Sequence, residues 1–239
     1  MNKNSVGLAM IVRDCAETLQ QCLLSVYGLF DQVVVVDTGS VDNTVEVAKK
    51  FGAEVHHFTW VDDFSAARNE SFSKLTTDWA FWLDGDDLLT GREYLEDMLT
   101  KCVDQKLEGV VLEYLYAFDG VGEKILAEQV DPLIKLGRLV PPELVRLLES
   151  RCVTTQHRER LVRNDPAWRW TYPVHEAIPS AGHRLGKYAN MKVVHRRHLR
   201  RTAVPNRRNL DILLKVPHDR YDERILFYLG LEHAHHQEF

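Results

Sequence analysis

The sequence predicts an α/β fold whose N-terminal half is a Rossmann-like, doubly wound sheet, and three observations carry that expectation. Strand-sized and helix-sized apolar patterns alternate from Gly7 to Leu83. The run Val33 to Val36 is β-branched at every position, as expected of a parallel strand covered on both faces. Acidic residues, Asp37 and Asp84, directly follow two of the strand patterns, where open α/β sheets bind their ligands.

Taken in order, Gly7 to Val12 reads as a buried strand, and Ala16 to Phe30 as a helix carrying Leu19, Leu23, Val26 and Phe30 on one face. Gln32 to Val36 is a second strand. The turn after Asp37 offers Ser40 as N-cap of a helix with Asp42 in its first turn, Val41, Val45 and Ala48 on its apolar face and Gly52 at its end. Ala53 to Phe58 is a third strand, and Asp63 can cap a helix from Phe64 to Leu75. Trp79 to Leu83 is a fourth strand, running into Asp84-Gly85-Asp86-Asp87. Further on, strand-like runs appear at Val110 to Phe118, Lys124 to Val130 and Met191 to Val194, with a helix expected at Pro142 to Leu148. Tyr221 to His236 reads as a packing or partner helix, with dimerisation one use for it; the chain ends before a second helix that could pair with it.

With 239 residues and 45% hydrophobic content the chain can bury a full core. No apolar run approaches the roughly 18–20 residues that span a bilayer, and the first apolar stretch stops at Arg13, too short for a secretory leader. A cytoplasmic protein is expected. Cys15, Cys22, Cys102 and Cys152 lack metal-ligand spacing and are expected to be buried thiols. The net charge of −5 conceals a segment from Ala177 to Leu210 without Asp or Glu. It contains Arg196, Arg200, Arg201 and Arg208, and an anionic ligand is expected to visit it.

Asp84, Asp86 and Asp87 form an acidic cluster at a strand end. Like charges about 4 Å apart repel by roughly 4 kcal/mol at an effective dielectric near 20, and a divalent cation would convert that repulsion into ligation. Hard oxygen ligands suit Mg²⁺ or Mn²⁺. Taken alone, the cluster reads more simply as an Asp-Gly turn with solvated acids.

The joint pattern goes further. Val35-Val36-Asp37-Thr38-Gly39-Ser40, then Asp63-Phe64-Ser65-Ala66-Ala67-Arg68-Asn69, then Trp82-Leu83-Asp84-Gly85-Asp86-Asp87 resembles glycosyltransferase family 2, and the resemblance resumes at Arg160 to Asn164 and at His175-Glu176. It implies a GT-A fold with a mixed, mostly parallel sheet and a C-terminal helical appendage. Residues 1–200 would form the glycosyltransferase domain, 1–105 its nucleotide-sugar half and 106–200 its acceptor-side half, with 201–239 as helical extension.

The implied activity is metal-dependent transfer of a sugar from a nucleotide-diphosphate sugar, in the first instance a UDP-sugar, with inversion by direct displacement. Acceptors across the family include saccharides, lipids, protein side chains and modified DNA bases, and nothing in the sequence selects among them. The resemblance places Asp37 and Asp14 at the nucleoside, although the family more often shows Asn-Glu where this chain has Arg13-Asp14. It sets Arg68 near the nucleotide, and Asp84 and Asp86 on the metal that holds the donor diphosphate. His195 would complete the metal site, unless it is simply a partly exposed histidine in a basic stretch. Glu176 stands where the family carries its general base, with His175 the next candidate. The plain alternatives are an Arg68 ion pair with Asp63 or Glu70, and a Glu176 ion pair with Arg163 or Arg184. Arg200 and Arg201 are expected to close over donor phosphates or guide an anionic acceptor, or else to lie on a solvated loop. His233, His235 and His236 are read as decorating a solvated helix end. Two other functions stay open: a nucleotidyltransferase of similar fold, disfavoured by the lack of a Gly-rich loop near the first strand, and a non-catalytic nucleotide- or polyanion-binding module.

Overall fold

The structure, a computed structural model, describes residues 4–118, 152–197 and 207–236. The strand expected at 124–130, the helix expected at 142–148, and Arg200 and Arg201 lie outside the described residues. The strands are β1 (Val6–Val12), β2 (Gln32–Asp37), β3 (Glu54–His57), β4 (Trp79–Trp82), β5 (Asp87–Thr90), β6 (Gly109–Phe118), β7 (Cys152–Arg163) and β8 (Leu185–Arg197). They form one sheet in the order β3-β2-β1-β4-β7-β6-β8-β5. Its pairings are parallel among β3, β2, β1 and β4 and between β6 and β8, while β7 and β5 run against the others. The mixed, mostly parallel sheet is therefore present.

Alternation along the central strands explains why they are apolar throughout. Leu8, Met10, Val12, Val35, Trp79 and Phe81 pack on one face with Leu19 and Leu23 of α1 (Ala16–Ser25). Ala9, Val34, Val36, Ala80 and Trp82 pack on the other with Phe72 of α3 (Phe64–Ser73), Leu75 and Trp170. Both faces are covered, so period-2 alternation in sequence becomes two cores.

Several local expectations are corrected. Helix α1 ends at Ser25 and not at Phe30: the Ser25 hydroxyl donates to Cys22 O at 2.6 Å, and the chain turns away through Gly28 at φ +68°, a region glycine enters without strain. Helix α2 (Thr44–Lys50) starts later than Ser40, whose hydroxyl instead accepts the Asp14 amide at 3.0 Å. Asp42 accepts the Thr44 amide at 2.9 Å, and Val41, expected on the buried face, is 93% exposed. Asp63 does cap α3, accepting the Ala66 amide at 2.9 Å. The sequence reading missed α4 (Leu95–Asp104), which buries Leu95, Met98 and Cys102 at helical spacing, and it missed β5 and most of β7 and β8.

The C-terminal helix is not left without a partner. Helix α5 (Arg208–Leu214) precedes α6 (Glu223–His236), and the two share a small core of Leu210, Ile212, Leu213, Ile225 and Leu229. Val174, from the loop before Glu176, is buried in that same core. His236 is not solvated either: its side chain is 5% exposed, with Nε2 3.9 Å from Glu232. Among the described residues no helix is long and apolar enough to cross a membrane.

Candidate functional site

The carboxyl ends of β1, β2 and β4 open into a cleft of about 740 Å³, lined by Asp14, Thr38, Arg68, Asp84, Asp86, His175, Glu176 and His195 among others. Its centre is built by the turn from β4 into β5 and by β8, which pairs with β5. Asp84 follows β4, Asp87 opens β5, and the antiparallel register places Asp87 opposite His195 of β8. Gly85 lets this turn lie against α1, since a Cβ there would stand 2.8 Å from Cys15 Sγ.

Asp87 is fully buried and every oxygen it has is engaged. Its Oδ1 accepts the Tyr114 hydroxyl at 3.1 Å and faces His195 Nδ1 at 3.1 Å. Its Oδ2 accepts from Arg160 Nη1 at 3.0 Å and from the Asp84 amide at 3.0 Å. Arg160 is itself fully buried, with its guanidinium carbon 3.7 Å from the Trp82 ring centre and 4.1 Å from that of Tyr114. A buried carboxylate needs such partners, because an uncompensated charge in a low dielectric is expensive. Asp86 is the more open acid, 3.4 Å from His195 Nδ1. One ligand atom each from Asp84, Asp87 and His195 lies within 4.8 Å of the others. Burial pulls the His195 pKa down, but its contacts with Asp86 and Asp87 outweigh that and push it up to about 10.

Arg68 joins this cluster to the opposite wall. It lies on the face of α3 turned to the sheet, 7% exposed, with its guanidinium against both the Trp82 and Trp170 rings, 4.7 and 4.8 Å from their centres. Its Nη2 donates to Asp84 Oδ1 at 2.7 Å, and its Nε donates to Glu176 Oε1 at 2.6 Å. Burial raises the Asp84 carboxyl, yet Arg68, Arg160 and His195 together outweigh it and hold it at about 2. The second oxygens of Asp84 and Glu176 make no hydrogen bond among the described residues.

Elsewhere the cleft is shaped by backbone. Asp14 sits at φ +47° and accepts the Val41 amide at 2.7 Å. Asp37 is buried and bonds to the Gly39 and Ser40 amides at 3.2 and 3.1 Å, so its carboxylate shapes the turn while Thr38 forms the wall. Arg196 points inward and ties β8 to α1, bonding Gln21, Thr18 O and Asp86 O. Cys15 lines the cleft and Cys22 lies beneath it; burial pushes the Cys15 thiol up to about 11 and Cys22 well above its ordinary value. They behave as packing groups.

With strand-end acids, a bridging arginine and an opposed carboxylate in one cleft, comparison with known proteins is decisive. Residues 8–168 match the family model described as Glycosyl transferase family 2. The chain belongs to that family. It is 38% identical over 174 residues to a TPR repeat-containing protein of Synechococcus elongatus, covering 71% of this chain and 41% of the relative. It is 33% identical over 86 residues to the SPbeta prophage-derived glycosyltransferase SunS of Bacillus subtilis, covering 35% of this chain and 20% of that protein. The chain thus spans less than half the length of these relatives. The crystal structure of S. aureus TarS 1-349 in complex with UDP aligns with a TM-score of 0.50 at 15% identity, covering 97% of this chain and 72% of that one, a likeness of fold.

Within this family member, the structure brings Asp84, Asp86, His195, Arg68 and Glu176 together. It pairs Arg68 with Asp84 and Glu176, in place of Asp63 or Glu70, and Glu176 with Arg68 in place of Arg163 or Arg184. His175 turns away from them toward α6, its Nε2 3.0 Å from Glu232. From sequence, Asp87 counts only as a member of the acidic cluster and Arg160 only as the point where the family resemblance resumes; their buried pairing is not foreseen. The available signal was an acid opening the apolar run Leu88-Leu89 and an arginine interrupting a strand just before Leu161-Val162.

Proposed function

We propose that this chain transfers a sugar from a nucleotide-diphosphate donor, in the first instance a UDP-sugar, with inversion by direct displacement. The observation that carries the reading is the convergence of Asp84, Arg68 and Glu176, two carboxylates held by one buried guanidinium at 2.7 and 2.6 Å in an open cleft. Asp14 and Asp37 frame the nucleoside end. Asp84, Asp86 and His195 are the residues that would hold Mn²⁺ or Mg²⁺. The donor set suits a hard cation, and the buried Asp87 orients the His195 ring through Nδ1, leaving Nε2 as its remaining ligand atom. A cation held there would neutralise charge developing on the leaving diphosphate.

Glu176 presents Oε2 to an acceptor. In the step proposed, the acceptor oxygen or nitrogen forms a bond to the anomeric carbon. The bond from that carbon to the diphosphate oxygen breaks, its electron pair leaves with the nucleoside diphosphate, and the acceptor proton passes to Glu176 Oε2. Arg68 keeps the other Glu176 oxygen occupied and so fixes which one is basic.

The test is incubation with UDP-, GDP- and TDP-sugars in Mn²⁺ or Mg²⁺, reading release of the nucleoside diphosphate. UDP-sugars come first because TarS is solved with UDP. Release above the protein-free rate with one donor is the expected result. Binding of none of them would sink the reading.

A further inference from the structure

Glu176 meets Arg68 because the residue before it takes an unusual backbone: His175 sits at φ +54°, a conformation costly for a side chain with a Cβ. Its own ring and carbonyl are held by one element, while Thr171 and Arg158 bond its neighbours Ala177 and Glu176. The His175 ring stacks on Tyr228 of α6, with centroids 4.0 Å apart and planes 12° apart. Its Nε2 lies 3.0 Å from Glu232 Oε1, and Arg224 Nη2 donates to the His175 carbonyl at 2.7 Å. Glu232 is 9% exposed and also accepts from Asn209 of α5 at 3.3 Å. Ring face, ring nitrogen and carbonyl are therefore all gripped by α6, while the next side chain meets Arg68 in the cleft.

We propose that Tyr228, Glu232 and Arg224 are positioning residues for Glu176, making the C-terminal helix pair a working part of the active site. This rests on the reading of Glu176 as the base. The acids Asp37, Asp84 and Asp86, at and after the ends of β2 and β4, bond to residues outside α6. Losing its grip on His175 therefore frees Glu176 to leave its productive orientation while the donor end stays intact.

The experiment uses the full chain, UDP as binding probe, and UDP-glucose and UDP-GlcNAc as donors with water as acceptor. Tyr228→Leu and Glu232→Ala are expected to lower kcat about tenfold or more, with donor KM and UDP Kd within about twofold of wild type. Tyr228→Phe, which keeps the stacked ring, is expected to restore kcat. Unchanged kcat in Glu232→Ala and Tyr228→Leu overturns the proposal. So does joint loss of kcat and UDP binding, which marks collapse of the fold; if Tyr228→Leu does not fold, the smaller lesion Glu232→Ala decides alone. A wild-type chain that binds none of the UDP-, GDP- and TDP-sugars overturns both readings, whereas active wild type matched by its variants overturns this one alone.

Discussion

The two walls of the cleft are built by different means. On the wall at the ends of β2 and β4, part of the frame is fixed by contacts a few residues away: Asp63 caps α3 through the amide three residues on, and Asp37 holds the turn at Gly39 and Ser40, although Asp84 and Asp14 are held by Arg68 and Val41, 16 and 27 residues off. On the opposite wall, Glu176 is placed by partners far off in sequence. Arg68 lies 108 residues from it, and His175 is tied to Glu232 across 57 residues. A site can thus be half locally encoded and half assembled by tertiary packing. The two halves should fail differently when they are perturbed.

The largest effect is expected on the donor wall. Asp84→Asn or Asp86→Asn should each abolish metal-dependent donor binding and turnover, because adjacent strand-end acids facing a diphosphate need a cation between them. Isothermal titration of UDP with and without Mn²⁺ reads this, and full activity in excess EDTA would remove metal from the mechanism. Next comes Glu176→Gln on the opposite wall. The amide carbonyl can still accept from Arg68 Nε, so donor and metal binding should stay near wild type while turnover falls by at least about a hundredfold. A Gln variant that transfers at the wild-type rate would place the base elsewhere.

Beneath both walls lies the Asp87–Arg160 pair, fully buried, which tests stability instead of chemistry. Arg160→Met should cost about 3–5 kcal/mol, since it takes the guanidinium away from a fully buried carboxylate and leaves His195 as its remaining basic partner. Urea unfolding measures it. A loss below about 1 kcal/mol would mean that His195, Tyr114 and the Asp84 amide suffice to hold Asp87.

The contrast also explains what the sequence made legible. The strands at Val33 to Val36 and Trp79 to Leu83, the Asp63 cap and the Gly52 helix end are set by local pattern and backbone chemistry, and each appears where expected. Two of the errors arose where a side chain bonds outside its own segment. Ser40 was read as a cap but serves the Asp14 amide, and Arg68 was offered partners on its own helix while its real ones lie at Asp84 and Glu176. Arg160 was unreadable for the same reason: nothing in its neighbourhood announces Asp87, which the β4–β7 pairing brings within reach. The support of His175 by α6 likewise exists only once α5 and α6 have packed around Val174.

The smallest effect tests where on the opposite wall the loop is gripped. Tyr172, three residues before His175, also sits at positive φ and donates its hydroxyl to Asp222 at 2.7 Å, just ahead of α6. That bond is exposed, whereas the His175 contacts are part-buried and Val174 beside them is in the core. A solvent-exposed hydrogen bond exchanges readily with water, so its net contribution is at the low end of the usual range. Tyr172→Phe keeps the ring and removes only the hydroxyl. It should lower Tm by no more than about 2–4 °C, the size of one ordinary hydrogen bond in a chain this long, and leave kcat within about twofold. Thermal unfolding and UDP release on the same preparation check both. If kcat instead fell tenfold with Tm little changed, the loop would be positioned at its Tyr172 end, and the grip of α6 on His175 would be secondary.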